Sequence, residues 1–290
     1  MPRLPSSRRV AAAGVFVAAL AVGVGVARVD AAPQGEHYEI RVAQRAVAVA
    51  PAPARKAEPV AEARPAPRDL PVIDYWGAPS GFRRDAAPAS MAAIPEGLRP
   101  LRKLAVYDAP GGRPRAFLPK SISGLPVTLP IVERRPGWAG VLLPSLNRRV
   151  GWIPESRRGW EVRRLRDQLV LHRREHRLVW LRDGRPRADW EVAVGAPRTP
   201  TPPGRTFVLG RTITVGGVYA GLDALVLGAV PDDRDALAPA LRNGHTGIHA
   251  WSRRSAFGRS VSNGCVRLPA GAQRTLLRHL ASGTPVHIVD

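Results

Sequence analysis

Beyond Leu101 the chain is a succession of short apolar runs, each cut off by glycine, proline or asparagine before it is long enough for a packed helix. Such runs read as strands joined by tight turns. Lys103–Tyr107, Ala116–Leu118, Pro126–Val132, Trp138–Leu143 and Val150–Ile153 are five of them. Their spacing predicts a small β-barrel over residues 101–156, with a β-rich extension of the following domain as the alternative. From Val162 the pattern continues through Leu169–Leu171, His176–Leu181 and Trp190–Val194. The Asp183-Gly184 pair between the last two is a hairpin turn. Phe207–Leu209, Thr212–Val215 and Leu225–Leu227 read as further strands. One helix is expected, over roughly Pro269–Leu280, with Leu276, Leu277 and Leu280 at helical spacing and Gly283 beyond its end. A final strand follows at Pro285–Val289. The fold class is therefore mainly β with a C-terminal helix.

The N-terminal third obeys different rules. Met1–Arg9 carries three arginines and Val10–Ala27 carries no charge, the layout of a basic n-region and an apolar h-region. Residues 1–31 are read as a signal peptide cleaved after Ala31, or as an uncleaved membrane anchor. Either way the rest is expected outside the cytoplasm, in the periplasm or cell wall, or held at the outer face of the plasma membrane. Residues 32–100 are rich in proline and alanine, as in Ala50-Pro51-Ala52-Pro53-Ala54, and are read as a largely disordered tether. Tyr75, Trp76 and Phe82 are its candidates for docking onto a domain.

The net charge is +21, and all but three of the 44 basic residues are arginine. They are spread along the whole chain, with no basic tract interleaved with aromatics. No nucleic-acid partner is expected; the excess suits compositional bias and attraction to anionic cell-wall polymers.

The chain has a single cysteine, so no internal disulfide framework is available to it. Cys265 lies in Ser262-Asn263-Gly264-Cys265-Val266-Arg267, sixteen positions after His249. A thiol behind a glycine has room for a substrate, and the N–H groups of Gly264 and Cys265 are candidates to face an oxyanion. A histidine within reach takes the thiol proton and returns it to a leaving amine. Arg267 favours thiolate over thiol. His245 reads as a loop histidine, and His172 and His176 sit in strand-like sequence without metal-binding order, so no metal site is expected.

Gly247-Ile248-His249 followed by Ser262-Asn263-Gly264-Cys265-Val266-Arg267-Leu268 resembles the signature of the L,D-transpeptidase (YkuD) catalytic domain. Thr201-Pro202-Pro203-Gly204-Arg205-Thr206-Phe207 is similar to a second stretch of that family, and the resemblance covers about residues 160–290. It implies an L,D-transpeptidase-type β-sandwich over residues 157–290; the runs of residues 101–156, by their own arrangement, resemble the SH3-like modules that accompany secreted wall enzymes. It also implies cysteine acyl-enzyme chemistry on peptidoglycan tetrapeptide stems giving 3→3 cross-links, without a cofactor. In that scheme Cys265 is the nucleophile and His249 the base and acid. Ser262, Asn263 and Gly264 shape the loop, and Arg267 and Tyr219 bind substrate. Water as acceptor makes the same site an L,D-carboxypeptidase. Asn263 departs from the family's usual histidine, and Ala250 from its glycine or serine. The first departure keeps a catalytically silent wall-binding protein as an alternative.

Overall fold

The computed structural model describes residues 59–290. The segment read as a signal or anchor, and the tether as far as residue 58, lie outside the described residues. What is described is mainly β with one α-helix, Ala270–His279. No helix among the described residues is long and apolar enough to cross a membrane.

Two eight-stranded sheets make up most of the structure. In the first, the strands run in the spatial order Trp160–Arg164, Glu96–Pro100, Leu129–Arg135, Trp138–Leu142, Arg149–Pro154, Leu104–Tyr107 and Pro114–Leu118. Arg83–Arg84 pairs in addition with Arg149–Pro154. Each of the five apolar runs after Leu101 supplies one of these strands. The sheet also recruits strands from either side of residues 101–156, because Glu96–Pro100 pairs antiparallel with Trp160–Arg164 over its whole length.

The stretch read as a tether up to residue 100 is, from about Pro71 onward, a packed arm. Ile73 is fully buried and Phe82 and Ile94 nearly so. Ile73 donates its N–H to the Phe117 carbonyl at 2.9 Å, and Phe117 donates to the Pro71 carbonyl at 2.8 Å. Three apolar residues so widely spaced show no periodicity, and they build no core of their own. They are buried because they lie on a core made by other segments.

The second sheet has the order Arg185–Glu191, Arg177–Arg182, Asp167–His172, Pro285–Val289, Gly204–Thr212, Ala224–Leu227, Gly247–Ala250 and Val266–Leu268. Two neighbours are parallel: Asp167–His172 with Pro285–Val289, and Gly247–Ala250 with Val266–Leu268. The expected hairpin forms between Arg177–Arg182 and Arg185–Glu191. Asp183 and Gly184 have φ of 50° and 74°, as a two-residue turn matched to strand twist requires. The Thr212–Val215 run is not a strand of its own. Pairing ends at Thr212, and Ile213 and Val215 stand out into solvent.

The strand Gly204–Thr212 separates two cores. Phe207 and Leu209 point into the core of the first sheet, with Leu118 and Trp152. Val208, between them, points the other way, into the core formed with Ile248, Val266 and Leu276 of the helix. Alternation along one strand thus joins the two halves. The helix buries Ala272, Gln273 and Leu276, and the Gln273 side-chain amide donates to the carbonyls of Ile248 (3.2 Å) and Asp223 (2.8 Å). Arg278 and His279 in its last turn complement the helix dipole.

The arm is tied to the same strand by charge. Arg205 Nε donates to Asp85 Oδ2 at 2.8 Å, and the two side chains are only 9% and 1% exposed. Removing one partner of such a pair leaves an uncompensated buried charge. Arg205→Ala is expected to destabilise the protein by about 3–5 kcal/mol, read from the denaturant midpoint; a shift below 1 kcal/mol would show that the pair bears no load.

Candidate active site

His249 and Cys265 come from the two neighbouring parallel strands at the edge of the second sheet. His249 lies within Gly247–Ala250, and Cys265 is the residue immediately before Val266–Leu268. The register sets Ile248 opposite Val266 and His249 opposite Arg267. Both side chains open onto one cleft of about 300 Å³, whose walls include Tyr75, Tyr219, Thr246 and Gly247.

Local hydrogen bonds hold the cysteine. The Gly247 N–H points at Cys265 Sγ at 3.3 Å. Ser262, buried, donates from Oγ to the Cys265 carbonyl at 2.5 Å and accepts the Gly264 N–H at 3.1 Å. Gly264 has φ of +105°, a conformation that favours glycine. The loop is held from outside by the turn that opens the Thr201-Pro202-Pro203-Gly204 stretch. Thr199 Oγ1 donates to the Ser262 carbonyl and Thr201 Oγ1 to the Gly264 carbonyl, both at 2.9 Å. Thr201 Oγ1 also accepts the Gly195 N–H at 2.9 Å. A Cβ on Gly195 would meet the Thr199 carbonyl oxygen at 2.2 Å, so this packing needs glycine.

Three expectations change here. The Gly264 N–H does not face an oxyanion, because Ser262 Oγ already accepts it; Gly264 serves the loop through its backbone conformation. Asn263 is exposed, and no hydrogen bond of its side chain is found among the described residues, so the loop is shaped by Ser262, Thr199 and Thr201 without it. Arg267 stands beside the cleft instead of lining it. Its guanidinium carbon lies 3.9 Å from the ring centre of Trp251, in a cation–π stack. Tyr219 does line the cleft, edge-on to His249 with ring centres 5.0 Å apart, and Trp251 completes the aromatic group 5.8 Å from His249. Thr201 and Trp251 were not singled out as site residues. Thr201 stood in the quoted motif, but its role depends on a partner loop some sixty residues away.

Electrostatics favours a neutral pair at rest. Burial pushes the Cys265 thiol above its ordinary value, against the smaller opposing pull of the Gly247 N–H and then the Arg267 charge. Burial holds His249 below the ordinary imidazole value, and the Ala250 carbonyl opposes this while Arg267 adds to it. His249 Nδ1 lies 2.9 Å from the Ala250 carbonyl. A carbonyl only accepts, so the neutral ring carries its proton on Nδ1 and leaves Nε2 free to take another. The arrangement suits general-base removal of a thiol proton. Among the described residues no three His, Cys, Asp or Glu side chains gather as a metal-ion site. His172 and His176 sit in a strand and a turn, and His176 Nε2 pairs with Ser260 Oγ at 3.0 Å.

The model of the L,D-transpeptidase catalytic domain, YkuD, matches residues 166–288. This part of the chain is similar to that family. The match covers under half of the chain, and residues 59–165 lie outside it. No curated protein matches. Solved structures similar to the chain include an L,D-transpeptidase from Mycobacterium smegmatis, 16% identical, covering 56% of this chain and 82% of that one at a TM-score of 0.36. L,D-transpeptidase 3 from Mycobacterium tuberculosis is 17% identical, with 50% and 74% covered at 0.36. The catalytic domain of the E. faecium L,D-transpeptidase is 22% identical, with 42% and 95% covered at 0.31. The resemblance to that family rests on the sequence match, not on these overlaps.

Thr201→Val keeps the shape of the side chain but strands the Gly195 N–H and the Gly264 carbonyl, both buried. A loss of about 1–3 kcal/mol is expected, measured by denaturant titration; wild-type stability would remove Thr201 as the support of the cysteine loop.

Proposed function

We propose that the YkuD domain of this chain is an L,D-transpeptidase that forms 3→3 cross-links between peptidoglycan tetrapeptide stems through a Cys265 thioester. The observation that carries this reading is the shared cleft of His249 and Cys265 within a domain of that family.

In the first step His249 Nε2 takes the Cys265 proton as Sγ bonds to the carbonyl carbon of the third stem residue. The developing oxyanion is assigned to the Cys265 N–H, since that of Gly264 is held by Ser262. The C–N bond to the terminal D-alanine then breaks, and the imidazolium protonates the leaving amine. In the second step the side-chain amine of another stem attacks the thioester and loses a proton to His249, and the thiol is regenerated. The Gly247 N–H stabilises the sulfur whenever it carries charge. Water in place of the amine gives carboxypeptidase activity at the same site. Against a silent wall-binding role stands the position of Asn263, outside the hydrogen bonds that shape the loop. Peptidoglycan is the proposed partner, with anionic wall polymers a secondary attraction for a strongly basic chain. The proposed location is the periplasm or cell wall, on the basis of the pattern in residues 1–31.

Incubation with a carbapenem is expected to add one inhibitor mass to the wild type and none to Cys265→Ala; an unmodified wild type would count heavily against the reading. With tetrapeptide stems, His249→Gln is expected to slow acylation by about 10²–10⁴-fold. Products identified by mass spectrometry then separate cross-linking from hydrolysis. Because the general base must be neutral, acylation falls as pH drops through the His249 pKa. Burial holds that pKa down, so the acid limb is expected below the ordinary imidazole value of about 6.5. An acid limb centred above that value would contradict the resting state described here.

A further inference from the structure

The wall of the cleft facing solvent on one side does not come from the family domain. It comes from the arm, some ninety residues before that domain begins, through Tyr75. The arm is fixed at this point. Asp74 Oδ1 accepts the N–H groups of Trp76 (2.8 Å) and Gly77 (2.9 Å), folding the segment into a tight turn. Ser145 Oγ, from the first sheet's side, donates to the Asp74 carbonyl at 3.0 Å. His245, from the loop leading into the His249 strand, has Nε2 2.6 Å from the Tyr75 carbonyl and Nδ1 2.6 Å from the Leu227 carbonyl. The rings of Tyr75 and His245 lie 4.4 Å apart, tilted by 36°.

Ring and backbone of Tyr75 are thus engaged by protein, while its hydroxyl has no hydrogen-bond partner among the described residues. The residue is only half-buried and lines the same 300 Å³ opening as Cys265. A phenol both donates and accepts, so it can pair with a peptide N–H, a carbonyl or a terminal carboxylate. Phenols at such sites usually find a partner when covered, and a bound peptide is what would cover this one.

We infer that Tyr75, supplied by the arm from outside the catalytic domain, is a substrate-contacting, specificity-determining residue of the Cys265 cleft, and that its hydroxyl binds a polar group of the peptide stem. The inference rests on the proposed function for the identity of the ligand. The cleft of the YkuD domain alone is then incomplete, and the Asp74–Gly77 turn with its His245 clamp is part of the enzyme's substrate site.

Tyr75→Phe tests this in the described protein with its arm intact, because it removes the hydroxyl and keeps the ring that packs on His245. Loss of one neutral hydrogen bond to substrate predicts a rise in KM for a tetrapeptide stem of about 3- to 10-fold, with kcat and the melting temperature unchanged. The same weakening is expected in the Kd of the tetrapeptide for Cys265→Ala protein, measured by calorimetry with and without Tyr75→Phe. An active wild type with an unchanged KM in Tyr75→Phe would overturn the inference and leave the proposed function standing. Tetrapeptide binding that weakens in Tyr75→Phe, alongside a wild type that forms no thioester, would support the inference and sink the proposed function. A rise in KM that tracks a fall in melting temperature would also overturn it, since the hydroxyl makes no protein contact whose loss could unfold the chain.

Discussion

The alternation along Gly204–Thr212 is the constraint on which the other parts depend. Successive side chains of one strand enter opposite cores, Phe207 and Leu209 one and Val208 the other. Each fully buried side chain of this size contributes about 1.5–3 kcal/mol, so neither half can drift from the other without exposing apolar surface. The arm is held to the same strand through Arg205 and Asp85, and the C-terminal strand pairs along it from Gly204 to Phe207. The Thr199–Thr201 turn that precedes it grips the cysteine loop. A single β-strand therefore sets where the cysteine loop, the arm and the end of the chain lie.

The electrostatics of the cleft follow from the partial burial of its thiol and the burial of its imidazole. Burial favours the neutral form of both Cys265 and His249, and the charges and dipoles nearby do not reverse that. Such surroundings favour an uncharged thiol beside an uncharged imidazole. Arg267 shapes the pair from a distance. Stacked on Trp251, it lowers the proton affinity of both groups without occupying the space a peptide needs.

The cysteine loop also explains how the chain can depart from its family's pattern at Asn263. The loop's conformation is carried by a glycine at positive φ, by the Ser262 hydroxyl and by two threonines from another segment. The side chain at position 263 is exposed and takes no part in these bonds, so exchanging a titratable ring for an amide leaves them intact.

Strands, turns and the helix were legible because they are local. The Asp183-Gly184 turn, the runs after Leu101 and the Leu276/Leu280 spacing each report on a few consecutive residues, and each has its expected form. Cys265 and His249 were legible for a related reason, since their motif lies within twenty residues and the strands that present them are neighbours. Ile73 and Asp85 carried no such signal, Tyr75 was no more than a docking candidate, and Thr201 no more than a member of a motif. Their partners are distant in the chain: His245 lies 170 residues from Tyr75, and Arg205 lies 120 from Asp85. The amino-acid order thus settled most of the segments that form strands and which thiol and imidazole are available. Tertiary packing alone decided that a sparse apolar arm is part of the folded body, that Ser262 takes up the Gly264 N–H, and that a tyrosine from that arm borders the cysteine. Burial and hydrogen bonding across such separations depend on the cores being assembled first, and no local period in the chain encodes them.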